Sequence, residues 1–300
     1  MSAAAGSITQ EERPFRAFAR EYMRNPGAVL ALIVLVGIIA VAAAAPLISP
    51  QNPYDLTQVD LLDNLQPPGS KSFSGTTFLL GTDGQGRDIL SAIFYGLRTS
   101  LIVGVASGLL ALIVGVLFGL TAAYYGGYVD TLIMRVVDLQ LSVPPILVAL
   151  ILLVLLGGGA DKIVIALVVV QWAFFARTIR GVALVENARD YMDAARCLKL
   201  GPLTILLGHL LPNCLPTLIV VATVQVASAI SLEATLSFLG LGLPPTQPSL
   251  GLLIANGFRF MMSGNYWVSL FPGIALLITV MSINIVGDRL RDVLNPRLAR

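Results

Sequence analysis

The chain has 300 residues and a formal net charge of +2, with 56% hydrophobic but only 12% charged side chains and a mean hydropathy of +0.83. An ordinary soluble domain is about 25% charged, so this much apolar side chain belongs in a bilayer, where each span takes roughly 20 apolar residues. The small net charge and the lack of a Lys/Arg run exclude nucleic acid as a partner; Cys197 and Cys214 form no CxxC pair and read as half-buried packing residues, not as a zinc or redox site.

Residues 1–27 carry Arg13, Arg16, Arg20 and Arg24 ahead of an apolar run at 28–48. That run is longer than a signal-peptide core. Although Ala42–Ala45 imitates a cleavage site, the run reads as a retained first transmembrane helix that leaves the bilayer at Pro46 and Pro50. Residues 49–99 bear Pro and Asp and read as an ordered external loop or small cap. Further apolar segments at 100–123, 132–156, 163–182, 205–231 and 267–287 complete an all-α membrane protein with six transmembrane helices. Pro144, Pro145, Pro212 and Pro216 place helix breakers inside the third and fifth segments, which are therefore expected to face protein or a pore. The stretch 232–266 is too interrupted for a span and suggests short re-entrant or interfacial helices. Fourteen of the nineteen Lys and Arg residues fall on the side of the two termini; Lys71, Arg87, Arg98, Lys162 and Arg259 fall opposite. By the positive-inside rule both termini are cytoplasmic, and 291–300 is a cytoplasmic tail.

A phosphate loop needs a lysine after its glycines. The three lysines follow Ser70, Asp161 and Leu198, so the Gly81–Asp88 stretch is a lookalike and the chain holds no ATP by that mechanism. His209 is the single histidine, no HExxH or GxSxG occurs, and no metal-ligand cluster is visible, so the chain does not read as an enzyme. Arg135 and Asp138, three residues apart, read as a structural ion pair. Charge is costly in lipid, which makes Glu233 a pore or gate candidate. Gln171, Gln225 and Asn284 either line a path or cross-link helices. A secondary transporter carries its own coupling-ion site, usually with intramembrane carboxylates; their scarcity counts against that alternative. Residues 186–200 have helical composition, with Tyr191, Ala195 and Leu198 as a narrow apolar stripe. Such a helix either docks its small residues in a partner's groove or lies among lipid headgroups.

The segments RPFRAFAREYMRNPGAVLALIVL, LLGTDGQGRDILSAIFYGLRTSLIVGV, AAYYGGYVDTLIMRVVDLQLSVPPILVAL, LEATLSFLGLGLPP and GDRLRDVLNPRL span nearly the whole chain. Together they resemble the C-type permease subunits of bacterial dipeptide/oligopeptide/nickel ABC importers. The resemblance implies a type I ABC importer permease fold in the bacterial inner membrane, with a five-helix permease core at 100–290 and a coupling loop at 183–204. It implies peptide as substrate, with nickel or glutathione as alternatives. The implied partners are a second homologous permease, two ATPase subunits or domains that hold the ATP and Mg, and an extracytoplasmic solute-binding protein; this chain binds no cofactor. The loops 76–92 and 240–250 are expected to meet that binding protein or shape an outer gate. The family's motif E-A-A-x-x-x-G with a downstream L-P is matched by Asp193, Ala194, Ala195, then Lys199 in the place of Gly, and Leu211-Pro212. Arg189, Tyr191, Asp193, Ala194, Ala195, Arg196, Leu198, Lys199 and Gly201 are thereby implied to seat in the ATPase. Lys199 departs from the motif, and the turn after it is expected to shift toward Gly201.

Overall fold

The computed structural model describes residues 14–53, 55–72, 75, 77–244 and 246–294, so positions 1–13 and the tail positions 295–300 lie outside the described residues. Among those described, five helices are long and apolar enough to cross a membrane, and a bent pair makes a sixth span. The fold is all-α, as the composition requires.

A short helix α1 (Pro14–Met23) leads into α2 (Pro26–Ile48), which starts where the Asn25 side chain accepts from the Ala28 amide at 3.2 Å and Pro26 takes the first helical position. The chain then makes two short 3-10 turns and a two-residue-per-strand hairpin, β1 (Ser70–Lys71) antiparallel to β2 (Thr77–Phe78), before α3 (Ile89–Tyr125). The expected loop 49–99 is therefore shorter. Helix α3 begins at Ile89 and not near 100, because Asp88 caps it through the Ser91 amide at 2.8 Å and its first turns are buried. There Ile89, Ala92, Ile93 and Leu97 pack with Leu250, Leu253, Trp267 and Val268. The glycine-rich stretch before α3 is an internal brace. Asp83 holds the Arg87 guanidinium at 2.7–2.8 Å with both side chains buried, and the Thr82 hydroxyl donates to the Asp63 carbonyl at 2.6 Å. Gly86, at φ +79°, has the Asp60 carbonyl where a Cβ would stand, which explains the glycine.

The third span is broken. Helices α4 (Gly127–Ser142) and α5 (Pro145–Leu156) meet at 90°, because Val143 and Pro144 each precede a proline and are driven to extended backbone. The expected Arg135–Asp138 pair is replaced by links to the next helix, α6 (Ala160–Asn187). Asp138 binds Arg177 and Asp130 binds Arg180, tying α4 to α6 across the break. After α6 come α7 (Asp190–Cys197), the single turn α8 (Pro202–Ile205), a π-turn (Leu206–Leu210) and α9 (Leu211–Phe238). The 232–266 stretch does form a short helix, α10 (Leu250–Phe258), wedged between α9 and α11 (Trp267–Leu294). Arg289 of α11 reaches Glu21 of α1, so both ends of the described chain lie on one side. That side also carries α7.

Helix α3 is central, with α6 along one flank and α9 along another. Two small-residue motifs set those distances. A Cβ on Gly115 would stand 2.3 Å from the Phe175 Cβ and one on Gly119 2.1 Å from Ile179; Gly104 and Gly108 face Ile230 and Val226 of α9 in the same way. Small residues let helix backbones approach where lipid offers no hydrophobic drive for association. Gly119→Val is therefore expected to force α3 from α6 and destabilise the chain by at least the 1–3 kcal/mol typical of overpacking. Gly37→Val in α2, where nothing lies within 4 Å, is expected to be near neutral; thermal unfolding of the two purified variants checks this.

Candidate functional site

Helix α7 begins at Asp190, not at Glu186. Helix α6 runs through Asn187, and Ala188 and Arg189 turn the chain before α7 starts. Asp190 and Asp193 in its first turn and Arg196 in its last suit the helix dipole. Arg196 donates to Asp193 at 2.9 Å and to Asn187 at 2.7 Å, which holds the short helix against the end of α6. The expected stripe of Tyr191, Ala195 and Leu198 is corrected. Met192 and Ala195 form the buried face, Tyr191 is half-buried, and Leu198 is 74% exposed because the helix has already ended at Cys197. Met192 and Ala195 pack with Leu120, Ala123, Ile179 and Cys214. Ala194 and Asp193 face outward. Cys214 is buried and Cys197 exposed, so neither is half-buried.

Lys199 answers the question its charge raised. It adopts φ +55°, the left-handed conformation that glycine favours. The Leu200 amide reaches the Ala195 carbonyl at 3.3 Å and the Lys199 amide reaches Arg196 at 2.9 Å, the paired bonds of a Schellman cap. The turn has not shifted. Gly201 has φ −65° and merely starts α8.

Beside α7 opens a groove of about 720 Å³ between α6, α9 and α11. Phe174, Val182, Val220, Val221 and Val224 supply aliphatic and aromatic wall; Thr178, Thr217 and Gln225 supply neutral hydrogen-bonding groups; Glu186, Asn213, Asp288 and Arg291 stand at the end nearest α7. Charge is thus confined to one mouth. Gln225 lines the groove, and Gln171 lies behind it with its amide donating to the Gln225 carbonyl at 3.1 Å. The Gln171 Oε1 is buried and bonded to nothing among the described residues. Asn284 is half-buried one turn before Asp288 on the same stripe of α11. Glu233 is elsewhere. It is fully enclosed and accepts from Ser100 at 2.9 Å and Ser237 at 2.7 Å, cross-linking α3 to α9 instead of facing the groove. Of the loop 76–92, position 76 lies outside the described residues and 77–92 turn most of their side chains inward, whereas 244, 246 and 247 are exposed.

Sequence reasoning missed Glu186. Its side chain receives Arg189 at 2.9 Å and the Tyr191 hydroxyl at 3.0 Å, and burial together with that carboxylate raises the Tyr191 pKa. The signal was present as Phe174, Thr178, Val182 and Glu186, a four-residue repeat that puts one stripe of α6 into the groove. His209 is a satisfied polar residue, its Nδ1 3.1 Å from the Thr204 carbonyl. Among the described residues no group of His, Cys, Asp and Glu gathers to hold a metal ion.

Residues 115–300 match the family described as binding-protein-dependent transport system inner membrane component, and residues 13–68 match the N-terminal TM domain of oligopeptide transport permease C. The chain is 40% identical over 285 residues to the dipeptide transport system permease protein DppC of Escherichia coli, covering 95% of this chain and 94% of that one. It is 38% identical over 285 residues to the di/tripeptide transport system permease protein DppC of Pseudomonas aeruginosa, covering 95% and 93%. In fold it is similar to a chain of the MetNI methionine ABC transporter, solved in inward-facing conformations. The TM-score is 0.56 at 22% identity over 69% of this chain and 98% of that one.

The left-handed conformation costs an L-residue roughly 1–2 kcal/mol, whereas glycine's extra backbone freedom costs about 0.5–1 kcal/mol. Lys199→Gly is thus expected to stabilise the chain by on the order of 0.5–1 kcal/mol, read as a raised unfolding temperature in detergent. An unchanged or lowered value would overturn the strain at this cap.

Proposed function

This chain belongs to the family of binding-protein-dependent transport system inner membrane components, and on that premise we propose that it forms half of the translocation pathway of an ATP-driven importer for small peptides. It is a multi-pass permease subunit of the inner membrane, and its relatives at 34–40% identity carry peptide and dipeptide transport names. The observation that carries the reading is the groove beside α7. A path with hydrogen-bonding amides and hydroxyls, aliphatic walls and charge only at its mouth suits peptides of varied side chain, because no fixed charge holds one substrate more tightly than another.

The proposed partners are a second homologous permease that completes the path, two ATPase subunits or domains, and an extracytoplasmic solute-binding protein. ATP binding closes the ATPases and displaces α7, and the spans attached to it tilt between two states whose populations the nucleotide shifts. Arg189, Asp193, Ala194, Arg196, Leu198 and Lys199 supply the docking surface. They are exposed, as is Gly201 at the start of α8, while Ala195 stays inside the chain and supports α7 from below. Gln171, Gln225 and Asn284 serve the path, and Glu233 holds its wall.

In this reading both termini and α7 are cytoplasmic, and the β1–β2 hairpin is outside. With Cys197 and Cys214 replaced, a cysteine at position 60 is expected to react with an impermeant reagent in intact cells and one at position 190 to stay unlabelled. The reverse pattern would invert the topology.

Ala194→Trp and Asp193→Lys change the outward face of α7 and leave Met192 and Ala195 packed, the second also removing the Arg196 ion pair within α7. Ala194→Trp is expected to cost the contact about 1–3 kcal/mol, and Asp193→Lys to act in a salt-dependent way. Membrane levels should hold while ATPase association weakens and substrate-stimulated hydrolysis is lost. Wild-type association and transport in both variants would leave α7 as a helix lying in the headgroups.

A further inference from the structure

Three elements that a coupled motion has to move together meet at one phenol. The Tyr191 hydroxyl of α7 donates to Glu186 at the end of α6 at 3.0 Å and accepts from the Asn213 amide of α9 at 3.2 Å. Asn213 also donates to the His209 carbonyl at 2.7 Å, inside the π-turn at the foot of α9. π-turns are rare and gather at functional sites; here the Leu211 amide reaches back to Leu206, and Pro212 has no amide to offer the carbonyls before it. Glu186 is almost fully enclosed and still lines the groove, so one carboxylate touches both the path and α7. Its other oxygen is occupied by Arg189.

We propose that Glu186, Tyr191 and Asn213 form a hydrogen-bonded joint that transmits the displacement of α7 into α6 and α9, with Glu186 as its positioning residue. This rests on the reading of α7 as the ATPase-coupling helix. A hydroxyl that donates once and accepts once is fully directed. A carboxylate as enclosed as that of Glu186 is, on losing a donor, left short of a bond that is strong because it is charge-assisted. The joint therefore resists separation of the three elements while leaving α7's outward face free for docking. A phenol with its ordinary pKa of about 10 already carries its proton at working pH, and burial together with Glu186 moves the Tyr191 pKa further up, away from that range.

The test is the full transporter reconstituted in vesicles, with ATP hydrolysed and peptide carried both counted per assembled complex. Tyr191→Phe keeps the ring and removes the hydroxyl, and Glu186→Leu removes the acceptor. Each is expected to raise the ATP spent per peptide at least fivefold. Glu186→Gln, which retains an acceptor but loses the charge that strengthens the bond, should fall between wild type and Glu186→Leu; a ratio equal to that of Glu186→Leu would overturn the role of the acceptor. The double variant should be no worse than the poorer single one, since both remove the same joint. A wild-type ratio in Tyr191→Phe and Glu186→Leu overturns the joint, as does a parallel fall in hydrolysis and transport, which would place Tyr191 on the docking face. Failure of the coupling reading is separable. In that case Ala194→Trp leaves ATPase association intact, whatever the ratio in the joint variants.

Discussion

The close approach of α3 to its neighbours is the constraint on which the remaining architecture depends. In water, two helices associate by burying apolar faces. In a bilayer lipid is as apolar as leucine, and contact must come from backbone proximity and dispersion. Gly115 and Gly119 let α6 lie directly on α3, and Gly104 and Gly108 do the same for α9. With α6 and α9 fixed against one spine, the groove between them and α11 has defined walls, and the α6 terminus is aimed at the place where α7 begins.

Polar groups follow a second rule, that a buried charge needs a partner. Glu233 has two serines and Asp83 has Arg87, and the half-buried Asp130 has Arg180. These links are structural, and Glu233 in particular explains why a carboxylate inside a span need not mark the path. The Asp138–Arg177 pair is different, since both side chains are about half exposed and lie beside the broken third span. An ion pair so placed requires polar surroundings on its open side. A water-filled path or a second permease would provide them.

The cap at Lys199 and the hydrogen bonds of Tyr191 show how α7 is firmly seated while its other face stays exposed. Met192 and Ala195 bury one face, the Schellman cap ends the helix sharply, and Arg196 staples it to Asn187. All of these act inward. Asp193 and Ala194 are left facing outward on a base that is tied to the rest of the chain.

Much of this was legible in the chain itself. Membrane residence, the number of spans and the helix breakers at Pro144–Pro145 follow from runs of apolar residues and from the covalent geometry of proline, which act over a few neighbouring positions. A short helix after the fourth span was legible in the composition of residues 186–200 for the same reason, since helical composition is contiguous. Tertiary structure alone decided that α3 starts at Ile89, that Asp138 chooses Arg177 over Arg135, that Glu233 faces serines and not the groove, and that Glu186 meets Tyr191 and Asn213. Each of these depends on which helix faces lie together. That is set by the fit of side chains across interfaces between distant segments, and local pattern carries no record of it.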